Sequence, residues 1–225
     1  MLYGKNVCLL QIKSYEFMIK RFLILLLFTT TIGFAQYGYR DSNMIGVTLG
    51  LNQFSLNTSD FKTTPGTGWN IGLAMRGNFY NDWDAIYGLQ FSEYNFKVAT
   101  LNATLHDRET NFKLPCANIT FQLSYKFIEN HLSIEFGPMV QINGKLDVPK
   151  EEENYVIKGN SAYTAKDLTN IGNVSFYPLI GVTAGVRNVR LNISYQYGIN
   201  NMLGKLDGGF KGNSSVLNGN VIFYF

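Results

Sequence analysis

From residue 43 onward the chain alternates apolar and polar residues with a period of two, the signature of β-strands whose two faces meet different surroundings. Eight segments carry the pattern: 43–51, 68–79, 85–96, 114–127, 131–143, 174–186, 189–199 and 215–225. The stretch "VRLNISYQYG", residues 189–198, shows it most clearly. Val189, Leu191, Ile193, Tyr195 and Tyr197 fall on one face, and Arg190, Asn192, Ser194, Gln196 and Gly198 on the other. In 114–127, Ile119, Phe121, Leu123 and Tyr125 oppose Asn118, Thr120, Gln122, Ser124 and Lys126. No stretch sustains a helical period. Most segments exceed the usual strand of about five or six residues and suit a tilted membrane-crossing strand of roughly 9–11.

The connections predicted between these segments alternate in length. Short links fall at 81–84, 128–130 and 187–188, and long ones at 52–67, 97–113, 144–173 and 200–214. Tight turns on one side and long loops on the other characterise outer-membrane barrels. The expected fold is therefore all-β: an eight-stranded antiparallel up-and-down transmembrane β-barrel occupying residues 36–225.

In such a barrel the apolar faces meet lipid and the polar faces line the lumen. A charge held against lipid near the midplane costs about 2–4 kcal/mol, so Arg76, Lys126, Glu135 and Arg190 are expected to point inward, near the short turns. Eight strands leave an interior that side chains can fill. The expected lumen is thus a packed polar network in which Glu135 pairs with Arg190 or Arg76, with Asp84 as the candidate for a further anion. Tyr80, Trp83, Tyr87, Tyr125 and Phe127 lie near the short turns, as either an interfacial girdle or ordinary strand formers. The chain ends "NVIFYF", with Val221, Phe223 and Phe225 on one face, and these are the expected signal for the outer-membrane insertion machinery.

The front of the chain reads as a targeting segment. In 18–35, "MIKRFLILLLFTTTIGFA", Lys20 and Arg21 precede an apolar run too short to span a bilayer and a small-residue site, so cleavage is expected after Ala35. Residues 1–17 are then a start codon placed too far upstream or an extended n-region. Four of the 19 basic and one of the 16 acidic residues lie in 1–35, leaving 15 of each in 36–225. That neutral balance lacks the basic footprint of a nucleic-acid binder. Cys8 lies in the front segment, so Cys116 has no partner for a disulfide.

Catalytic and metal motifs are absent from the sequence: there is no H-E-x-x-H, P-loop or paired-cysteine site. His106, Asp107 and Glu109 share the loop "LHDRET" without a serine placed by any motif, and His131 sits at a tight turn. The acidic run in "VPKEEENYVIKGN", 148–160, lacks the interleaved oxygen ligands and glycine turn of a cation loop.

Several stretches carry a family likeness: "IGVTLGLNQFSL", "GWNIGLAMRGNFYNDW" with "AIYGLQFSEYNF", "NITFQLSYKFIENHLSIEFGPMVQINGK" and "IGVTAGVRNVRLNISYQYGINNM". Together they resemble the PorT-like outer-membrane β-barrel proteins of Bacteroidetes over most of 43–225. One branch of that family takes part in type IX secretion and gliding. The stretch "KLPCANITFQLSYKF" departs from that branch, with Cys116 and Asn118 in place of a leucine-rich run. The functional expectation is a non-enzymatic scaffold or docking protein of the bacterial outer membrane, without cofactor. Its expected partners are lipid, lipopolysaccharide, the insertion machinery and other envelope proteins. The alternatives are a small-solute channel and a lipid-modifying enzyme.

Overall fold

The computed structural model describes residues 43–206 and 209–225. Segment 1–17, the expected signal peptide 18–35 and its cleavage after Ala35 lie outside the described residues. Ten strands follow in order: β1 (Met44–Thr58), β2 (Thr63–Tyr80), β3 (Trp83–Leu101), β4 (Asp107–Ile128), β5 (Leu132–Asn143), β6 (Val156–Ile157), β7 (Asn160–Thr164), β8 (Val174–Gly185), β9 (Val189–Tyr197) and β10 (Gly212–Tyr224). Among the described residues a 3-10 turn spans Asp167–Thr169.

Eight of these strands form a closed ring. β1 pairs antiparallel with both β2 and β10, and the circuit runs β1-β2-β3-β4-β5-β8-β9-β10 and back. Paired residues can be followed once around it: Ser133, Thr183, Asn192, Asn220, Gly50, Asn70, Ser92, Cys116, Asn143. The path leaves β5 at Ser133 and re-enters it at Asn143, ten residues nearer the loop end. With strands about 4.8 Å apart and a rise of about 3.3 Å per residue, that stagger tilts the strands by about 40°. Closure pairs the backbone edges that an open sheet would expose.

The turns joining β2 to β3, β4 to β5 and β8 to β9 occupy only 81–82, 129–131 and 186–188. Asn81 and Asn130 supply the positive φ (44° and 57°) that such tight reversals need. At the other end the expected long connections at 52–67 and 97–113 are mostly strand, and the actual links are 59–62 and 102–106. Only 144–173, which contains the β6–β7 hairpin, and 198–211 are long.

The reason for that difference is a change in the sense of the alternation. Along the turn-side part of each strand, apolar residues point outward and polar ones inward. β1 exposes Ile45, Leu49 and Leu51 and buries Thr48 and Asn52; beyond that level it buries Phe54 and Leu56 while Gln53 and Asn57 face out. β3 changes over between Phe91, which faces out, and Tyr94, Phe96 and Val98, which face in. β4 does so between Ile119 and the inward Leu114 and Phe112. The strands continue because an apolar interior now holds them from within.

Outside the turn-side zone runs a belt of exposed apolar side chains, including Leu73, Leu89, Phe121, Phe136, Ile180, Leu191, Ile193 and Phe223. Eight to ten residue steps at about 3.3 Å, foreshortened by a tilt of about 40°, make this belt roughly 20–25 Å tall. Near its turn-side edge Trp83 contacts Tyr125 (centroids 5.0 Å) and Phe136 (6.0 Å), and Tyr125 meets Phe127 edge-on at 5.1 Å. Val221, Phe223 and Phe225 lie on the outward face of β10 and the residue after it.

A bulge between Pro65 and Trp69 interrupts the β2–β3 ladder at the height where the alternation changes sense. Gly68 sits in it, and a Cβ there would fall 1.8 Å from the Glu93 carbonyl oxygen. The two backbones approach too closely for any side chain.

Candidate functional site

The lumen is built in three layers, each dictated by the side chains that the inward positions supply. Nearest the turns lies a charged layer. Arg76 on β2 donates through Nη2 to Glu135 on β5, to Ser124 (2.9 Å) and to Ser133 (3.4 Å). The second Glu135 oxygen accepts from Asn192 Nδ2 at 3.0 Å. Asp84 lies 3.6 Å from Arg76 and 3.4 Å from Lys126. Arg190 reaches Asn130 at 3.4 Å and stands 5.9 Å over the Tyr224 ring.

Of the two partners that the sequence leaves open for Glu135, the geometry gives Arg76. Arg190 meets an amide and an aromatic face instead, and Asp84 serves Arg76 and Lys126 together. Two cations, Arg76 and Lys126, thus share two carboxylates, and Arg190 stands in the same layer without a carboxylate in direct contact. Arg76, Asp84, Glu135 and Arg190 are all at least 95 % buried. Charges buried this deeply persist only when paired and hydrogen-bonded.

Above this comes a layer of amides and hydroxyls: Thr48, Asn52, Asn70, Asn118, Gln141, Gln196, Asn218 and Asn220, all buried. Asn118 donates to Tyr94 Oη (2.9 Å) and Ser92 Oγ (3.0 Å), while Asn70 meets Asn218 at 3.4 Å. Between the two layers a cavity of about 30 Å³ is lined by Thr48, Gln90, Thr120, Gln122, Gln196 and Asn220, among others. It has room for a water or two, and the side-chain oxygens of Thr48, Gln196 and Asn220 would be satisfied by such water.

The third layer is apolar and closes the loop end. Phe54, Tyr94, Phe96, Phe112 and Val216 of the barrel wall pack in one cluster with Phe61, with Leu146, Val148, Ile157, Leu168 and Ile171 of the 144–173 connection, and with Met202, Leu203, Leu206 and Phe210 of 198–211. Phe54 stacks on Tyr94 at 5.2 Å and Phe96 on Phe112 at 5.3 Å. The connections fold inward as a cover because their undersides are apolar. Period-two alternation did not reveal this layer, since the covering residues lie in irregular segments; the sequence signal was the recurrence of Leu, Ile, Met and Phe within connections.

The remaining sequence candidates lie apart from the lumen. His106 is exposed in the 102–106 turn, its Nδ1 3.0 Å from both the hydroxyl and the carbonyl of Thr104. Asp107 pairs with Lys158, and Glu109 with Lys97 at 3.3 Å. His131 is exposed, with Nδ1 2.8 Å from the Glu129 carbonyl. Among the described residues no group of three or more metal-ligating side chains could hold an ion.

The chain matches no protein-family model and no curated protein. Among solved structures it is similar to Neisserial surface protein A, with a TM-score of 0.47 and 15% identity over 84% of this chain and 100% of that one. It is also similar to Ail of Yersinia pestis, solved in complex with the heparin analogue sucrose octasulfate (0.46, 15%, covering 82% and 100%). The outer membrane protein OprG of Pseudomonas aeruginosa is a third neighbour (0.45, 12%, covering 83% and 96%).

Proposed function

We propose that this protein is an integral β-barrel of a bacterial outer membrane that neither conducts solutes nor catalyses a reaction, and that it serves as a scaffold or docking protein with its loop end outward. One observation carries the membrane reading. The same strands are apolar outside and polar inside over one zone, and polar outside and apolar inside over the next. Water around the whole barrel would not select the first arrangement, because it leaves a continuous apolar belt exposed. A hydrocarbon layer selects it, and the belt height of roughly 20–25 Å suits the apolar band of about 25 Å in outer-membrane barrels.

Non-conduction rests on the filled lumen: ion-paired near the turns and covered by apolar packing at the loops. The PorT-like resemblance adds secretion or gliding components as the partners to look for first, alongside lipopolysaccharide and the insertion machinery that would read Val221, Phe223 and Phe225. In-cell crosslinking of the tagged protein, followed by mass spectrometry of the outer-membrane fraction, tests the docking role. Near-stoichiometric recovery of envelope proteins supports it. Recovery of insertion machinery and lipid alone removes it.

A further inference from the structure

The charged layer at the turn end lacks one negative charge. Arg76, Lys126 and Arg190 point into it, and the carboxylates of Asp84 and Glu135 are both engaged by Arg76 and Lys126. Arg190 is 2 % exposed, and its contacts are the Asn130 side chain at 3.4 Å and the face of the Tyr224 ring. A neutral amide and an aromatic face offset only part of the cost of burying a charge. A buried lysine can shed its proton, but a guanidinium cannot.

The hydrogen-bonding groups show the same imbalance. Among the described residues, every buried side-chain atom of this layer without a hydrogen-bond partner is a nitrogen donor: Arg76 Nε and Nη1, and Arg190 Nε. In the amide layer above, the unpartnered atoms are all oxygens, among them those of Thr48, Asn52, Gln196 and Asn220. Their direction is fixed at two positions. Asn52 Nδ2 donates to the Trp69 carbonyl, and Asn220 Nδ2 to Asn192 Oδ1, whose own amide nitrogen donates to Glu135.

We infer that the turn end of the lumen binds one small monovalent anion, of the halide class, at the Arg190 guanidinium. Water would satisfy the nitrogen but not the charge. One surplus charge selects a monovalent ion, and the packing of the layer selects a small one. Asn130 belongs to the 129–131 turn and is partly exposed, so Arg190 stands one side chain from solvent at that end. The ion enters there and goes no further, because the unpartnered oxygens of Thr48, Gln196 and Asn220 line the cavity above. Anion binding is therefore compatible with a barrel that does not conduct.

The test uses the barrel refolded in detergent, its fold checked by a change in gel mobility on boiling. Urea unfolding is followed in sodium chloride and in sodium gluconate at equal ionic strength, so that screening is common to both. A tenfold rise in chloride above its dissociation constant should raise the folding equilibrium constant by about tenfold. Gluconate, a larger anion, should have no such effect. Arg190→Met removes the surplus charge and should abolish the chloride dependence while keeping the heat shift. Replacing an exposed lysine of the outward face, Lys113→Met, should leave that dependence unchanged. Crystals of the unsubstituted protein grown in bromide should show an anomalous peak within hydrogen-bonding reach of Arg190 Nε. Equal stability in the two salts, a chloride dependence that survives Arg190→Met, or water in the place of bromide overturns the site.

Discussion

Arg76 and Glu135 join β2 to β5 across the lumen, two strands that share no ladder, and their contact is the shortest ionic one inside the barrel at 2.5 Å. Such a brace ties opposite walls together. Removing one partner strands the other as a buried charge, which costs about 3–5 kcal/mol.

Glu135→Ala should therefore lower unfolding stability by roughly that amount. Arg76→Met/Glu135→Leu should be milder than Glu135→Ala alone, because no unpaired charge remains. Urea titration in micelles measures both; equal losses for the single and double variants would show that the pair is not coupled.

The two polarity zones predict opposite responses on one outward face. Ile193→Arg, in the middle of the belt, should cost about 2–4 kcal/mol. Asn111→Arg on the outward face of β4 beyond the belt should change stability by less than about 0.5 kcal/mol. Refolding into bilayers reads the contrast, and similar costs at both positions would mean that no hydrocarbon layer surrounds the belt.

Phe54 is fully buried in the apolar cover and stacked on Tyr94. Phe54→Ala should destabilise by about 3–5 kcal/mol. A comparable change at a solvated loop end would have no such effect, so a loss below about 1 kcal/mol would refute a packed third layer.

Planar-bilayer recording should show silence from correctly folded protein. Discrete, reproducible conductance steps would require a water path through both the ion-paired layer and the cover, and would restore the channel reading.

Gly68→Ala should disturb the β2–β3 bulge, because its Cβ would lie 1.8 Å from the Glu93 carbonyl oxygen. The expected loss is about 1–3 kcal/mol from forced backbone movement. An unchanged unfolding midpoint would show that the bulge relaxes freely.

The sequence by itself determined the strands of the turn-side zone, the tight turns and the inward direction of Arg76, Lys126, Glu135 and Arg190. Period two is a local property of the chain, and an apolar belt facing outward leaves no choice for a charged residue on the alternate position. It also brought Glu135 to two candidate partners. Choosing Arg76 required the tertiary structure, because β2 and β5 share no ladder and their side chains meet only across the lumen. Tertiary structure alone decided the upper barrel. Phe54, Phe96 and Phe112 are as alternating as Leu49 or Leu89, and periodicity does not say which face is wet. That depends on what packs against it, and here the answer comes from Leu146, Met202 and Phe210, far along the chain and folded back over the mouth.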